Sequence, residues 1–205
     1  MSFITRAKNI LLTPATEWLV IEGETDTPQT LLGKYVIPMA LIPAVAYFIG
    51  YGLIGVNAFF FRFGGITWGL IMACNSFITS LLGYFISTYV IDALAPSFGS
   101  PKNIGKSAQL VAYSYTASWV AGIFHILPTL SILAILGLYG IYLFYLGLPI
   151  LKKTPEDKRA IYMIVSAIVI IVVSWVLGII ITNIIYAVTG NPFLPAGGVL
   201  DSRWR

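Results

Sequence analysis

The chain has 205 residues, of which 58% are hydrophobic and only 10% are charged. Soluble domains carry about 25% charged residues, so a water-soluble fold could not cover its surface with so few charges. The net charge of +4 does not indicate nucleic-acid binding, because the Lys and Arg residues are spread over short loops and terminal segments. The sequence therefore predicts an all-α, polytopic membrane helix bundle.

Residues 1–34 precede the first long apolar run and are predicted to form a cytoplasmic segment with an amphipathic interfacial helix. On a helical wheel, five apolar residues share one face: Phe3, Ile4, Ala7, Ile10 and Leu11. Arg6 and Lys8 flank this face, as in a helix that lies in the headgroup plane with its basic residues on anionic lipid. Packing of the same helix on the cytoplasmic end of the bundle is an equal alternative.

Two Thr-Pro pairs divide the rest of this segment. Thr13-Pro14 predicts an N-cap followed by proline in the first helical turn, and hence a second short helix that carries Trp18. Residues 22–27 are polar and form a link. Thr27-Pro28 then predicts a second cap at the approach to the first membrane span.

Uncharged runs predict five transmembrane helices within residues 35–189. A helix that crosses the hydrocarbon core needs about 20 mostly apolar residues. The uncharged run 107–151 has 45 residues and is long enough for two helices, which Leu127-Pro128-Thr129 should separate. The predicted spans are residues 35–55, 66–91, 108–127, 130–151 and 161–188. Residues 190–205 are expected to form a short extracytoplasmic tail.

The basic residues predict how this bundle is oriented. Nine of the 12 Lys and Arg residues lie on one predicted side, in the N-terminal segment and the 92–107 and 152–159 loops, and three lie on the other. Cytoplasmic loops carry an excess of Lys and Arg. The N-terminus is therefore predicted to be cytoplasmic, and the odd number of spans places the C-terminus outside.

Polar residues within or at the ends of the predicted spans are the candidate site residues. They are Asn75, Thr79, Asp92, Tyr113, Ser114, Tyr115, His125 and Asn183. Ionisable side chains are costly inside a bilayer and are functional candidates by default. Hydroxyl and amide side chains also bond between packed helices, and this contact role is the favoured interpretation. A polar cavity for a small ligand is the alternative.

Asp92 and His125 are the ionisable members of this set. Asp92 lies at the cytoplasmic end of the second predicted span, where we expect it to pair with Lys102, Lys106 or Arg159. An ion or ligand site is the alternative for Asp92. His125 lies at the outer end of the third span, and it is the single histidine, so the sequence excludes a site built from several histidines.

No catalytic constellation is apparent in the sequence. It contains no Gly-x-Ser-x-Gly or His-Glu-x-x-His motif, no phosphate loop and no paired intramembrane carboxylates. We therefore expect neither an enzyme nor a bound cofactor or metal. The expected partners are membrane lipids and a protein at the cytoplasmic face, with a homo-oligomer as a further expectation.

Three segments together resemble the Yip (Ypt/Rab-interacting protein) domain family in its bacterial inner-membrane branch. They are RAKNILLTPATEWLVIEGE before the first span, LVAYSYTASWVAGIF in the third, and LGLYGIYLFYLGLPILKKTPEDKR through the fourth. The resemblance implies a five-span bundle with a cytoplasmic N-terminus. It also implies association between family members, because eukaryotic Yip proteins bind Rab GTPases and one another.

Three departures from the family pattern modify these expectations. The N-terminal segment is short, and no Asp-Leu-Tyr-Gly-Pro signature precedes the first span, which argues against a Rab-type partner. In the third span Ala117 follows Thr116 where many bacterial relatives have proline, so no proline kink is expected there.

Two functions remain in competition at this point. The leading hypothesis is a non-enzymatic membrane scaffold or adaptor. The alternative is a small transporter, channel or lipid-handling protein with a polar intramembrane cavity, which the prolines of the first span, Pro38 and Pro43, and the polar second and third spans favour. A continuous polar cavity would favour transport, and dense apolar packing would favour a scaffold.

Overall fold

The structure is a computed structural model that describes residues 2–58 and 61–189; the predicted tail, residues 190–205, lies outside this range. The described chain is all-α apart from one short strand pair. Four helical segments in it are long and apolar enough to cross a bilayer, which identifies a membrane protein. They are Pro28–Ile54, Ile66–Phe98, Pro128–Lys152 and Glu156–Val188.

Two short helices precede the first of these segments. Helix α1 comprises Phe3–Leu12, and the Ser2 hydroxyl oxygen caps it by accepting a hydrogen bond from the Thr5 amide at 3.2 Å. Helix α2 comprises Pro14–Glu22 and starts directly after Thr13, whose side chain makes no capping bond. In the second Thr-Pro pair, the Thr27 hydroxyl oxygen does cap, because it accepts from the Thr30 amide at 3.1 Å.

The first long helical segment is irregular. It consists of α3 (Pro28–Leu31), a π-helical turn (Leu32–Val36), α4 (Ile37–Tyr47) and a second π-helical turn (Phe48–Ile54). Proline has no amide hydrogen, so Pro38 and Pro43 leave the backbone ladder of this segment incomplete. Strands β1 (Val56–Ala58) and β2 (Phe61–Phe63) then pair antiparallel and lead to the second segment.

The second segment contains helix α5 (Ile66–Leu94), which continues as a 3₁₀ turn (Ala95–Phe98). It crosses the first segment closely, because Gly69 and Gly52 face each other and a side chain on Gly69 would overlap the Gly52 backbone. Small residues let membrane helices approach closely, and this glycine pair does so here.

The third predicted span, residues 108–127, is not one continuous helix. Helix α6 (Ile104–Ser114) and helix α7 (Thr116–Ala121) are separated at Tyr115, and a 3₁₀ turn (Gly122–Ile126) follows. The break at Tyr115 is not a proline kink, because Ala117 follows Thr116, as expected from the sequence. Irregular backbone is tolerated at membrane depth where protein surrounds it, and all residues of α6 from Ser107 to Ser114 are buried. The five-span count stays a prediction.

The third and fourth long segments follow the 3₁₀ turn Gly122–Ile126 and are joined by short connections. Leu127 has extended backbone, and a 3₁₀ segment (Pro128–Leu138) begins at the predicted Leu-Pro-Thr turn. Helix α8 (Tyr139–Lys152) continues it, and helix α9 (Glu156–Thr189) follows after three residues.

Helix α6 lies at the centre of the bundle, against α3, α5 and α8, while α2 packs on α8. The largest fully buried side chains include Trp18, Tyr84, Tyr113, Tyr162 and Lys152. Several of them lie at one end of the bundle, which also holds the N-terminal helices and most of the described ion pairs. We call it the charged end and define it by Glu24, Asp92, Lys106 and Lys152.

Candidate functional site

Arg6 of α1 is buried at the charged end, with 5% of its surface exposed. Its guanidinium forms ion pairs with Glu17 of α2 and with Glu24 in the loop that follows, and it lies 5.4 Å from the centre of the Tyr113 ring. The prediction that Arg6 contacts lipid was therefore wrong. Because α2 folds back along α1, it places a carboxylate against Arg6 that a helical wheel of α1 cannot show.

The predicted apolar face of α1 is divided between two environments. Ala7 and Ile10 are buried against the bundle, whereas Ile4 is 65% exposed. Lys8 is exposed as well, and its contact with anionic lipid stays a prediction. Helix α1 thus packs on the bundle through one side and leaves the other side free.

Trp18 anchors α2 to the bundle. Its side chain is fully buried and packs edge-on against Tyr113, with 6.3 Å between ring centres. Gly147 of α8 makes room for the indole, because a Cβ at this position would lie 3.0 Å from the Trp18 ring. The sequence placed Trp18 on a short helix but gave no sign of its partner in α8.

Lys106 fastens the end of α2. Its ammonium group donates hydrogen bonds to the backbone carbonyls of Glu22 at 2.6 Å and Glu24 at 2.8 Å. These carbonyls lie at the C-terminus of α2, where a cation complements the helix dipole. Burial lowers the pKa of Lys106, and the nearby charges of Glu22 and Glu24 oppose that shift.

A second ionic cluster joins α5, α6 and α8. Lys152 is fully buried and donates to the Asp92 carboxylate at 3.0 Å and to the Ser107 hydroxyl at 2.8 Å. Asp92 also accepts from the Ser107 hydroxyl at 3.0 Å and from the Asn103 amide at 2.8 Å. These three bonds from groups of the chain itself converge on Oδ1 of Asp92, which is typical of a structural contact.

The predicted partners of Asp92 were wrong. The sequence offered Lys102, Lys106 and Arg159, and it assigned Lys152 to a solvated loop. In the structure Lys152 is in the last turn of α8, and its side chain points between α5 and α6. Arg159 instead donates to the Tyr145 carbonyl at 3.0 Å and lies over the Tyr145 ring.

The three consecutive residues Tyr113, Ser114 and Tyr115 point in different directions and form no common site. Tyr113 packs against the N-terminal helices, and the Tyr115 hydroxyl bonds to the Ser87 hydroxyl of α5 at 2.7 Å. Ser114 is buried, and its hydroxyl has no hydrogen-bond partner.

Asn75 and Thr79 belong to a contact between α5 and α9. The Asn75 amide donates to the Thr182 hydroxyl, and its carbonyl oxygen accepts from Thr79 at 3.1 Å. Asn183, by contrast, donates to the Ile179 carbonyl of its own helix at 2.8 Å. The structure thus brings together two of these three predicted residues.

His125 lies at the opposite end of the bundle from the ionic clusters. Its ring stacks on Tyr47, with 4.1 Å between ring centres, and Nδ1 is 3.1 Å from the Ser131 hydroxyl.

Within residues 2–58 and 61–189, no three His, Cys, Asp or Glu side chains are grouped closely enough to hold a metal ion. The candidate site is therefore the charged end, where Lys106 connects the end of α2 to the bundle and Lys152 connects α5, α6 and α8.

Comparison with known proteins places the chain in a family. No curated protein and no solved structure matches it. The family model described as the Yip1 domain matches residues 8–178, a range that starts in α1, includes the charged end and extends into α9. The chain therefore belongs to the Yip1 domain family.

Proposed function

We propose that this protein is a non-enzymatic scaffold or adaptor of the bacterial inner membrane. The observation that carries the proposal is the way in which α1 and α2 are held. Arg6 joins α1 to α2 and lies over the Tyr113 ring, and Trp18 anchors α2 to the bundle, yet the two helices direct apolar side chains outward. The outward residues are Ile4, Leu12, Leu19 and Val20, which are between 50% and 69% exposed.

These four residues, together with Lys8, are named the outer N-terminal surface. Ile4, Lys8 and Leu12 follow one another at intervals of four and therefore share one side of α1. Helices that are already fixed lose little conformational freedom when a partner binds, which favours docking on such a surface. Apolar side chains held outward at the end of a membrane bundle suit either a protein partner or the lipid headgroup region.

A protein partner is the better-supported occupant. A basic residue near an anionic membrane surface contributes about 1 kcal/mol. The sequence assigned two such residues to α1, but the charge of Arg6 is neutralised by its ion pairs with Glu17 and Glu24 within the protein. With Lys8 alone remaining from that pair, attraction to anionic lipid is about half of what the sequence suggested.

The alternative of a transporter with a polar cavity has less support. Several of the polar side chains that favoured it are paired with one another across helices, as in Asn75 with Thr182 and Tyr115 with Ser87. The Tyr35 hydroxyl likewise bonds to the Thr116 hydroxyl at 2.6 Å. Polar groups paired in this way act as contacts between helices.

The adaptor proposal is tested by placing a photo-crosslinking amino acid at Leu19 in the full-length protein in its native membrane. The matched control is the same amino acid at Ile171, which is exposed on α9. We expect Leu19 to form one discrete protein adduct and Ile171 to form lipid adducts. Lipid adducts alone at Leu19 would contradict the adaptor role and would indicate an interfacial anchor.

A further inference from the structure

A cavity of about 370 Å³ lies between the central helices and α9, away from the charged end. Helices α6, α7, α8 and α9 and the 3₁₀ segment before α8 all contribute to its walls. The walls are mostly apolar and include Ser114, Phe144, Met163, Ala167 and Ile170. The cavity is therefore not the polar pathway that a transporter of hydrophilic solutes would need.

The cavity is elongated along the helices. Ser114 is seven residues beyond Ser107, which bonds to Lys152 at the charged end. At 1.5 Å per helical residue, Ser114 lies about 10 Å from that level. Met163 follows Tyr162, whose hydroxyl bonds to the Ile91 carbonyl beside Asp92, so it lies in the part of α9 nearer to the charged end. Ile171 is eight residues further along α9, about 12 Å closer to the far end.

One buried hydroxyl group borders the cavity without a protein partner. Ser114 is 3% exposed, and its Oγ has no hydrogen-bond partner. The two other hydroxyl side chains that border the cavity are engaged, since Ser118 donates to the Gly137 carbonyl and Tyr115 bonds to Ser87. A buried hydroxyl group without a partner is costly, so a ligand that supplies an acceptor to Ser114 would be stabilised.

The cavity opens toward the outside of the bundle. Several residues that line it are also exposed on the outer surface of the membrane-spanning helices: Ile135, Leu138, Ile141 and Ile171. The medium at this surface is the bilayer itself. A molecule that enters from the side is therefore a membrane lipid rather than a water-soluble solute.

We propose that the cavity binds one acyl chain of a glycerolipid from the leaflet at the charged end. The ester carbonyl of that chain accepts a hydrogen bond from Ser114 Oγ, and the chain runs from there past Phe144 and Met163 toward Ile171. The polar contact lies at the end of the cavity nearer to the headgroups, and the rest of the wall is apolar. This order matches the order of groups along an acyl ester.

The test reconstitutes the full-length protein in phosphatidylethanolamine vesicles that contain a trace of the same lipid with a diazirine halfway along one acyl chain. After photolysis, mass spectrometry maps the labelled residues. We expect Phe144, Met163 and Ile170 to be labelled about tenfold more than Ile164 and Ile168, which are not part of the cavity wall, because a bound chain is retained and annular lipid exchanges. Equal labelling of both sets would overturn the proposal.

Three variants extend this measurement. Ala167→Trp fills the cavity and should reduce labelling of Phe144 and Met163, whereas Ala160→Trp, on an exposed position of the same helix, should not. Ser114→Ala should remove the preference of the wild-type protein for diester over diether lipid, since an ether lacks the carbonyl acceptor. Labelling that is unchanged in Ala167→Trp, or a wild-type protein that does not distinguish ester from ether, would also contradict the proposal. The wild-type labelling pattern is informative even where a variant folds poorly.

Discussion

Arg6 and Lys152 are basic residues whose side chains are buried at the charged end, and each depends on carboxylates from other elements. Glu17 and Glu24 neutralise Arg6, and Asp92 neutralises Lys152. Removing one partner of a buried ion pair leaves an uncompensated charge, which typically costs about 3–5 kcal/mol. Replacing both partners with neutral residues avoids most of that cost. A single substitution in either cluster should therefore destabilise the protein more than replacement of both partners does.

The first prediction concerns the pair of Asp92 and Lys152. Asp92→Asn should lower the free energy of unfolding by about 3 kcal/mol, because Lys152 then loses its carboxylate partner at a fully buried position. The double variant Asp92→Asn with Lys152→Met should recover most of that loss. Denaturant unfolding in detergent micelles measures both values, and together they form a double-mutant cycle.

The control for this cycle is the pair of Glu156 and Arg159, in which the Glu156 side chain is 79% exposed. Exposed ion pairs contribute about 0–1 kcal/mol, so Glu156→Gln should have little effect. If Asp92→Asn is as mild as Glu156→Gln, the buried pair does not stabilise the bundle. A folded Asp92→Asn protein that has lost a binding or transport activity would instead favour a ligand site at Asp92.

The positions of helices α1 and α2 depend on a few buried side chains, among them Arg6 and Glu17. Arg6→Gln would leave Glu17 buried without its cation, and the docked state of α1 should weaken by about 3 kcal/mol. Amide exchange in Phe3–Leu12 should then accelerate about 100-fold. Lys8→Gln on the exposed side of the same helix is the matched control and should exchange like the wild type. Equal exchange in both variants would show that Arg6 does not hold α1.

Helix α9 contains a stripe of small residues, Ser174, Gly178 and Thr182, a pattern that lets membrane helices approach each other closely. In the structure a side chain added at Gly178 would meet no atom within 4 Å. Gly178→Leu should therefore leave the stability of the monomer within about 0.5 kcal/mol of the wild type, as expected for surface substitutions. Unfolding and size measurements in detergent check this. A strongly destabilised monomer would place the stripe inside the bundle, and a shift from oligomer to monomer would identify an intersubunit face.

At the scale of the whole molecule, apolar patterning and local capping signals located most helices. The run lengths and the Leu-Pro-Thr turn located the segments that end at Lys152 and Thr189, because these depend only on local composition. The partners of Arg6 and Asp92 could not be predicted in the same way. Lys152 is 60 residues from Asp92, and its inward direction depends on how α8 crosses α5 and α6. Such contacts are set by helix packing, which a helical wheel does not contain.

Residues 104–126 determine how many times the chain crosses the membrane. Helices α6 and α7 and the 3₁₀ turn after them extend for about 35 Å, enough to cross a hydrocarbon core of about 30 Å. Asn103 lies beside Asp92 at the charged end, and His125 stacks on Tyr47 at the other. The segment therefore runs from one end of the bundle to the other despite the break at Tyr115.

We therefore expect five crossings, with the termini on opposite sides of the membrane. A phosphatase that is active only outside the cytoplasm, fused after Arg205, should be active, because the excess of Lys and Arg at the charged end favours the cytoplasm for the N-terminus. The same enzyme fused after Lys102, in the loop between α5 and α6, is the matched control and should be inactive. An inactive fusion at both positions would mean that residues 104–126 do not cross, and that four helices span the bilayer with both termini on one side. Activity after Lys102 alone would reverse the orientation.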